Sequence, residues 1–189
     1  MKSVAVFCGS SKGHHPVYSD SARLLGEALA KRKIWMVYGA GNVGLMGVIA
    51  DAMLAQNGKI IGVIPHFLRE KEVCHEGLTE LYVVDSMHER KIKMAELSEG
   101  VIVMPGGYGT LDELFEMLTL VQLGQDSQPI GILNVEDFFT PLLQQVDHMM
   151  QEGFVKSFHR ELLLVSKDIE ELLDKMNNFE PKPEVGKWW

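Results

Sequence analysis

The chain has only two cysteines, Cys8 and Cys74, in 189 residues. A domain of this size can bury enough apolar surface to fold without covalent staples, so we expect no disulfide framework and a reducing, cytoplasmic location. No apolar run approaches the roughly 20 residues that a membrane span needs, and the first apolar segment, Ser3 to Cys8, is too short for a secretory signal. The sequence therefore predicts a cytoplasmic protein without a membrane partner.

Positive charge is also scarce, because 18 Lys and Arg face 26 Asp and Glu, which gives a formal net charge of −8. A nucleic-acid surface needs clustered basic residues, so we expect no nucleic-acid partner. The basic residues are concentrated in the first half of the chain, where Arg90, Lys91 and Lys93 form a dense cluster. This cluster fits either a small anionic ligand or a solvated helix face.

Linkers, repeats and low-complexity segments are absent up to Pro181, which predicts one domain over residues 1–180 and a tail over residues 181–189. Short runs rich in Val and Ile alternate with segments of helical periodicity. We predict strands at Val4 to Cys8, Ile34 to Tyr38, Ile60 to Ile64, Leu81 to Val84, Val101 to Met104, Ile130 to Leu133 and Leu162 to Val165. We predict helices at Pro16 to Lys31, Gly44 to Gln56, Met87 to Leu97, Leu111 to Leu123, Phe138 to Gln151 and Ile169 to Asn177. The expected fold is α/β, a Rossmann-like doubly wound parallel sheet in a three-layer sandwich.

Three glycine-rich segments each follow a predicted strand. They are Cys8 to Ser11 after the first strand, Gly39 to Gly44 after the second and Pro105 to Gly109 after the fifth. Ligands of doubly wound sheets bind at the carboxyl ends of the strands, and glycine amides at a helix start form a concave anion site. Each segment alone is compatible with a tight turn, but three on one edge predict a phosphorylated ligand.

The segment Gly39-x-Gly41-x-x-Gly44 matches the dinucleotide-binding motif. It follows the second strand, however, and the next strand runs into Pro65-His66 without the acidic residue that would hold a ribose diol. An NAD-dependent dehydrogenase is therefore disfavoured. A P-loop protein is excluded because the chain has no G-x-x-x-x-G-K-[ST] segment.

Two capping-box patterns precede predicted helices. In Thr110-Leu-Asp-Glu113, Thr110 is the expected N-cap and Glu113 occupies the third helical position; Ser86 to Glu89 has the same pattern. Both helices start on the ligand edge, so both could present side chains to one pocket. From spacing alone, Glu113 is either a cap or a functional carboxylate.

The segment Pro105-Gly-Gly-Tyr-Gly-Thr-Leu-Asp-Glu113 resembles the P-G-G-x-G-T-x-x-E motif of the Lonely Guy family, the cytokinin riboside 5′-monophosphate phosphoribohydrolases formerly described as lysine decarboxylases. Met87 to Lys91 resembles the M-x-x-R-K motif of that family, and Tyr38 to Gly47 resembles its second glycine loop. The resemblance extends from Val4 to about Leu133, with the order and spacing of the three motifs in agreement.

The resemblance implies hydrolysis of the N-glycosidic bond of AMP, or of an N6-substituted AMP, to the free base and ribose 5-phosphate. Such a bond breaks through an oxocarbenium-like state, which a carboxylate can stabilise while it orients or deprotonates water. Glu113 is the expected catalytic carboxylate, and a position in the first helical turn would keep it ionised. Arg90 is the expected catalytic partner, holding Glu113 or the phosphate. No residue is assigned as the acid for the departing purine.

The phosphate is expected on the backbone amides at the start of the helix after the fifth strand. The ligand-contacting acid and threonine of the family correspond here to Glu72 and Thr119, and Met87 fits either an apolar contact to the base or core packing. The chain departs from the family at Ala40, usually glycine, and at Asp112, often glutamate. The expected substrate-binding residues are Ser10, Glu72, Met87, Lys91, Gly106, Gly107, Tyr108, Gly109, Thr110, Leu111, Asp112 and Thr119.

We expect no metal and no cofactor. The histidines lack ligand spacing with cysteines or carboxylates, and no lysine is identifiable as a Schiff-base residue for pyridoxal phosphate. A non-enzymatic nucleotide-binding or carrier protein of a related Rossmann-like fold is the alternative. The joint presence of Arg90 and Glu113 favours the enzyme, because a carboxylate beside an anionic ligand weakens simple binding. The sequence does not distinguish AMP from N6-substituted AMP.

The helix predicted from Leu111 is apolar around more than one face. A helix that only covers a sheet needs a single apolar stripe. We therefore expect a homodimer or a larger homo-oligomer with this helix at or near the interface, as the resemblance also implies.

Overall fold

The structure is a computed structural model, and it describes residues 1–69, 74–182 and 185–186. The strands are β1 (Ser3–Phe7), β2 (Trp35–Tyr38), β3 (Ile60–Pro65), β4 (Glu80–Val84), β5 (Val101–Val103), β6 (Ile130–Leu133) and β7 (Leu163–Ser166). The helices are α1 (Pro16–Lys31), α2 (Gly44–Ala55), α3 (His66–Arg69), α4 (Met87–Glu96), α5 (Tyr108–Gln122), α6 (Thr140–Gln151), α7 (Ser157–Arg160) and α8 (Ile169–Asn177). A 3-10 helix spans Val135–Asp137.

The seven strands of the described residues form one sheet in the order β4-β3-β2-β1-β5-β6-β7. Every neighbouring pair in this sheet is parallel. The chain moves outward from β1 in one direction through β4 and then returns to the other side of β1 with β5. The strand order therefore reverses between β1 and β5, and this is the position at which doubly wound sheets bind ligands.

Helices cover both faces of the sheet, as the predicted three-layer sandwich requires. On one face, Leu25 of α1, Ile49 of α2 and Leu172 of α8 belong to one buried apolar cluster with residues of the central strands. On the other face, Met94 of α4, Leu114 of α5 and residues of α6 belong to a second cluster. The predicted α/β fold class is confirmed. Within the described residues, no helix combines the length and apolar character that a membrane crossing needs.

The largest boundary difference concerns α5, which we predicted to begin at Leu111 after an N-cap at Thr110. The helix begins at Tyr108, and its N-cap is Gly107, which makes no side-chain capping bond. Thr110 is instead buried inside the first turn, with its side chain packed over Gly106. The capping-box prediction for Thr110 and Glu113 is therefore wrong, because the chain becomes helical directly after the glycine pair.

The second capping box is present in modified form. The Ser86 hydroxyl accepts a hydrogen bond from the Glu89 amide at 3.1 Å, while the Glu89 carboxylate accepts one from the amide of Asp85 instead of Ser86. This cap fixes the start of α4 and with it the direction of the side chains on its first turns.

One other helix prediction needs correction, and two short helices were missed. The helix predicted from Phe138 begins at Thr140, because Glu136 and Asp137 have positive φ angles of 48° and 59° that interrupt helical geometry. The helices α3 and α7 were not predicted. Each has four residues, which is too short to produce a helical period in the sequence.

Candidate active site

The loops after β1 and β5 touch each other at the point where the strand order reverses. The Gly9 amide donates a hydrogen bond to the Pro105 carbonyl at 3.0 Å. A Cβ atom on Gly9 would lie 3.3 Å from the Gly106 Cα, so a side chain at Gly9 would press on the neighbouring loop. Glycine therefore permits the close approach of the two loops.

A cavity of about 320 Å³ opens beside these loops. Its volume lies at the lower end of the range for small-molecule sites. Eight of the sequence-predicted site residues line it: Ser10, Met87, Arg90, Gly107, Tyr108, Gly109, Thr110 and Glu113. Both predicted catalytic residues therefore face one cavity, although they come from different helices.

The guanidinium of Arg90 is buried and forms no ion pair with any residue that the structure describes. Arg90 lies on α4 and is 7% exposed. Its Nε atom is buried without a hydrogen-bond partner, and its Nη1 atom lies 3.8 Å from the Met87 sulfur. An unpaired buried cation destabilises the folded state. Such a group is therefore a candidate for binding an anionic ligand.

Glu113 lies on α5, in the second turn of the helix because the helix begins at Tyr108. Burial raises the pKa of this carboxyl group to about 7, while Arg90 lowers it and Asp112 raises it further. We predicted that the helix dipole would keep Glu113 ionised. That expectation is wrong, because burial has the largest effect on the pKa and Glu113 does not lie in the first turn of the helix.

The start of α5 offers unoccupied amide donors. The first amides of a helix have no intrahelical acceptor, and the N-cap Gly107 supplies no side-chain oxygen to them. A Cβ atom at Gly107 or Gly109 would meet no atom within 4 Å, so the space beside this turn is open. The partial positive charge of a helix start favours a phosphate at this position.

Three predicted substrate-binding residues lie elsewhere. Lys91, Asp112 and Thr119 line a separate depression of about 400 Å³. The Lys91 Nζ atom is 2.9 Å from Asp112 Oδ2 and also forms an ion pair with Glu116. We predicted Lys91 as an auxiliary phosphate ligand, but in this chain it does not face the cavity that contains Arg90.

The remaining predicted residues have three different positions. Gly106 lines an adjacent cavity of about 290 Å³ with Tyr18 and Phe138. Leu111 is partly buried and packs against the core cluster under α5. Glu72 lies outside the described residues.

Several cavity residues were not predicted. Apolar side chains of Met46, Leu68 and Met94 line the cavity, as does the thiol-bearing residue Cys8. Burial, and secondarily the nearby Glu113, raises the pKa of Cys8 to about 12, so its thiol is neutral. Cys8 directly follows β1, and a position directly after a strand indicates a residue at the ligand-binding ends of the strands. Leu68 gave no signal because it lies on the four-residue helix α3.

Within residues 1–69, 74–182 and 185–186, no group of three or more His, Cys, Asp or Glu residues is arranged to hold a metal ion. A larger groove of about 810 Å³ runs beside α8 and the edge strand β7. Its lysines are paired, Lys175 with Glu171 and Lys182 with Glu161. The smaller cavity at the reversal of strand order is therefore the better candidate for chemistry.

Comparison with known proteins agrees with the motifs. The family model described as "possible lysine decarboxylase" matches residues 46–176. The cytokinin riboside 5′-monophosphate phosphoribohydrolase LOG of Oryza sativa subsp. japonica is 41% identical over 186 residues, covering 98% of this chain and 77% of the rice protein. The enzyme of the same name from Rhodococcoides fascians is 45% identical over 170 residues, covering 89% of this chain and 86% of the relative.

Solved structures support the fold alone. The molybdenum cofactor binding protein of Rippkaea orientalis has a TM-score of 0.68 at 20% identity, covering 93% of this chain and 94% of the other. The molybdenum cofactor carrier protein of Chlamydomonas reinhardtii has a TM-score of 0.67 at 15% identity, covering 93% and 95%. The resemblance seen in the glycine and M-x-x-R-K motifs is confirmed by the match to the family model and by the identity to the named relatives. The chain therefore belongs to the Lonely Guy family of cytokinin riboside 5′-monophosphate phosphoribohydrolases.

Proposed function

We propose that this protein hydrolyses the N-glycosidic bond of adenosine 5′-monophosphate or of an N6-substituted AMP. The products are the free base and ribose 5-phosphate. The proposal depends above all on one observation: the buried guanidinium of Arg90, whose Nε atom has no hydrogen-bond partner in the described part of the chain, shares a cavity with Glu113 and with the start of α5. The names of the relatives support the same reaction for this chain.

The start of α5 binds the 5′-phosphate in this proposal. The amides of Tyr108 and Gly109 lie in the first turn, and the open space beside Gly107 and Gly109 admits a phosphate to hydrogen-bond distance. Phosphate binding then fixes the ribose relative to the catalytic groups. Binding energy from a group that does not react is used in this way to orient the group that does.

Arg90 supplies the positive charge of the site. An arginine keeps its charge at any physiological pH and donates several hydrogen bonds in a fixed plane. Because the Nε atom has no hydrogen-bond partner among the residues that the structure describes, a ligand oxygen can accept from it. The phosphate or a ribose hydroxyl of the nucleotide would meet this need.

Glu113 acts on the water that attacks C1′. The C1′–N bond breaks, its electron pair leaves with the purine, and the water oxygen forms the new bond to C1′. The carboxylate stabilises the oxocarbenium-like carbon and accepts a water proton, and the purine takes up a proton in the overall reaction. Burial raises the pKa of Glu113 to about 7, so the carboxylate is a stronger base than an ordinary glutamate and is still largely ionised just above neutrality.

The apolar part of the cavity suits a purine. Met46, Leu68 and Met87 line it together with the polar loops. Thioether side chains adapt to flat and irregular apolar groups. These residues therefore fit the base and an N6 substituent better than a second charged group.

The test is a base-release assay with purified protein. AMP, isopentenyl-AMP and the corresponding nucleosides are incubated with the protein, and free base is measured by chromatography. We expect base release from at least one monophosphate and little or none from the nucleosides, because the phosphate orients the ribose. Tight binding of the monophosphates without base release would instead support the nucleotide carrier. Equal turnover of adenosine and AMP would contradict the phosphate site.

We also propose that the protein is a homodimer or a larger homo-oligomer with α5 at or near the interface. Tyr108, at the start of this helix, is 95% exposed, and Phe115 is exposed on the same helix. The depression that contains Lys91 and Thr119 lies beside Phe115, so a second copy packed there would cover both the aromatic rings and these residues. Light scattering at micromolar concentration should give at least twice the chain mass of 21.2 kDa. A mass of one chain would contradict the proposal.

A further inference from the structure

Gly39, the first glycine of the G-x-G-x-x-G segment, is in contact with Arg90. It directly follows β2, and a Cβ atom built on it would lie 1.8 Å from Arg90 Nη2 and 3.0 Å from Arg90 Cζ. Heavy atoms cannot approach to 1.8 Å without a covalent bond. The guanidinium of Arg90 therefore occupies the volume in which any other residue at position 39 would carry its side chain.

Arg90 and Met46 both border the position of this Cβ atom, and both line the cavity. The same Cβ position lies 3.3 Å from the Met46 sulfur, and Arg90 is itself only 7% exposed. The Nη2 atom is the far end of a flexible side chain that lines the cavity, so a Cβ atom at position 39 would displace the guanidinium and not the backbone. The positive charge would then move from its present place in the cavity.

The last glycine of the same segment has a packing role. Gly44 has a φ angle of 63°, and its Cβ would lie 2.2 Å from the Ser10 carbonyl carbon. This glycine therefore lets the loops after β1 and β2 pack together. The glycine pattern is explained by contacts within the protein and does not require a dinucleotide.

We infer that Gly39 is a positioning residue, because the missing side chain at this position allows the guanidinium of Arg90 to lie in the cavity with Glu113. Position 39 accordingly controls where the positive charge of the site lies, although glycine itself contributes no functional group. The consequence for turnover rests on the proposed function, whereas the position of Arg90 can be tested without it.

A double-mutant cycle tests the effect on turnover. We expect Gly39→Ala to lower base release on the order of a hundredfold, the effect of misplacing a catalytic group by about 1 Å. Because both substitutions remove the same charge from the same place, the Gly39→Ala, Arg90→Ala double variant should be no less active than Arg90→Ala alone. Losses that multiply in the double variant would overturn the inference.

A titration tests the position of Arg90 in the ligand-free protein. The groups whose charges act on Glu113 are Arg90, Asp112, Lys91 and Glu116, and the Cys8 thiol lines the same cavity. Arg90 lowers the pKa of Glu113, so Gly39→Ala should raise that pKa, as measured by carbon-13 NMR of labelled glutamate. Ala40→Gly is the matched control, because it changes the adjacent residue without adding an atom near Arg90.

The titration separates the inference from the proposed function. If wild-type protein releases no base but Gly39→Ala raises the pKa of Glu113, the proposed function fails and the positioning role stands. An unchanged pKa in Gly39→Ala would overturn the positioning role whatever the activity.

A loss of stability in Gly39→Ala is also informative. If the clash with Arg90 is the cause, removing the Arg90 side chain in the double variant should restore the urea midpoint to that of Arg90→Ala. Equal loss of stability in the presence and absence of the Arg90 side chain would overturn the inference, because the clash would then be with another group.

Discussion

Arg32 and Arg90 are two arginines at opposite ends of the strands. Their guanidinium groups differ in burial and in ionic partners. Arg32 follows α1, before the first residue of β2, and its guanidinium binds Glu170 by Nε at 2.9 Å and Asp174 by Nη1 at 2.7 Å. Arg90 lies at the carboxyl ends of the strands, is more deeply buried, and has no carboxylate partner within residues 1–69, 74–182 and 185–186.

The difference supports the proposal that Arg32 stabilises the fold whereas Arg90 binds a ligand. Arg32 is partly exposed, and its two partners connect α1 to α8, so its charge is neutralised within the protein. Arg90 is buried with an unsatisfied donor, which destabilises the fold unless something else provides the partner. In the proposed function, the anionic substrate is that partner.

The largest expected effect is on turnover. Arg90→Ala should lower base release roughly 100- to 1,000-fold, which is the cost of removing one preorganised charge or donor from a transition state. Arg32→Ala is the matched control, and its turnover should equal that of the wild type because Arg32 is remote from the cavity. Similar losses of turnover in the two variants would contradict the assignment of Arg90, and not Arg32, to the reaction.

The second-largest effect concerns how the stability of the protein depends on pH through Glu113, the carboxyl group that shares the cavity with Arg90. Burial raises the pKa of Glu113 from 4.5 to about 7, so the folded protein binds more protons than the unfolded chain between these values. Wild-type stability should therefore fall as pH rises from about 4.5 to about 7, whereas a glutamine has no proton to lose.

Glu113→Gln should accordingly be more stable than the wild type at pH 8, by about 2–3 kcal/mol. At pH 4 the two proteins should differ little. Urea unfolding at both pH values measures the difference. Equal stability at pH 8 would show that Glu113 is not buried as an ionised group.

The smallest effect is expected at Arg32. The exposed ion pairs of Arg32 with Glu170 and Asp174 should contribute about 1 kcal/mol or less to the free energy of unfolding. Arg32→Ala should therefore lower the urea midpoint slightly, and the difference should shrink at high salt. A loss of several kcal/mol would indicate that the contact between α1 and α8 depends on these charges.

The regular elements were predictable because their ends carry local signals. Helix α1 begins at Pro16, a residue favoured in the first helical turn, and α8 begins after Asp168, whose side chain accepts from the Glu171 amide at 2.8 Å. The start of α5 was missed because Gly107, a residue without a side chain, takes the N-cap position. The threonine and glutamate that follow it imitate a capping box.

Only part of the site could be predicted from the sequence, and the reason is geometric. Arg90 and Lys91 are adjacent in the motif, but consecutive helix residues point about 100° apart, so only one of them faces the cavity. The raised pKa of Glu113 depends on packing from several elements, which no local pattern contains. The single domain with its tail, the cytoplasmic location, the oligomeric state and the roles of the individual site residues stay predictions.

The most direct test of the account is turnover by Glu113→Gln in the base-release assay, with its stability measured in parallel. Glutamine keeps the shape of the side chain but cannot carry the negative charge that faces the oxocarbenium ion or accept the water proton. The account predicts a protein that is at least as stable as the wild type at pH 8 and releases base roughly a hundredfold more slowly, or slower still. Near-normal turnover by Glu113→Gln would contradict it, and the catalytic carboxylate would then have to lie elsewhere.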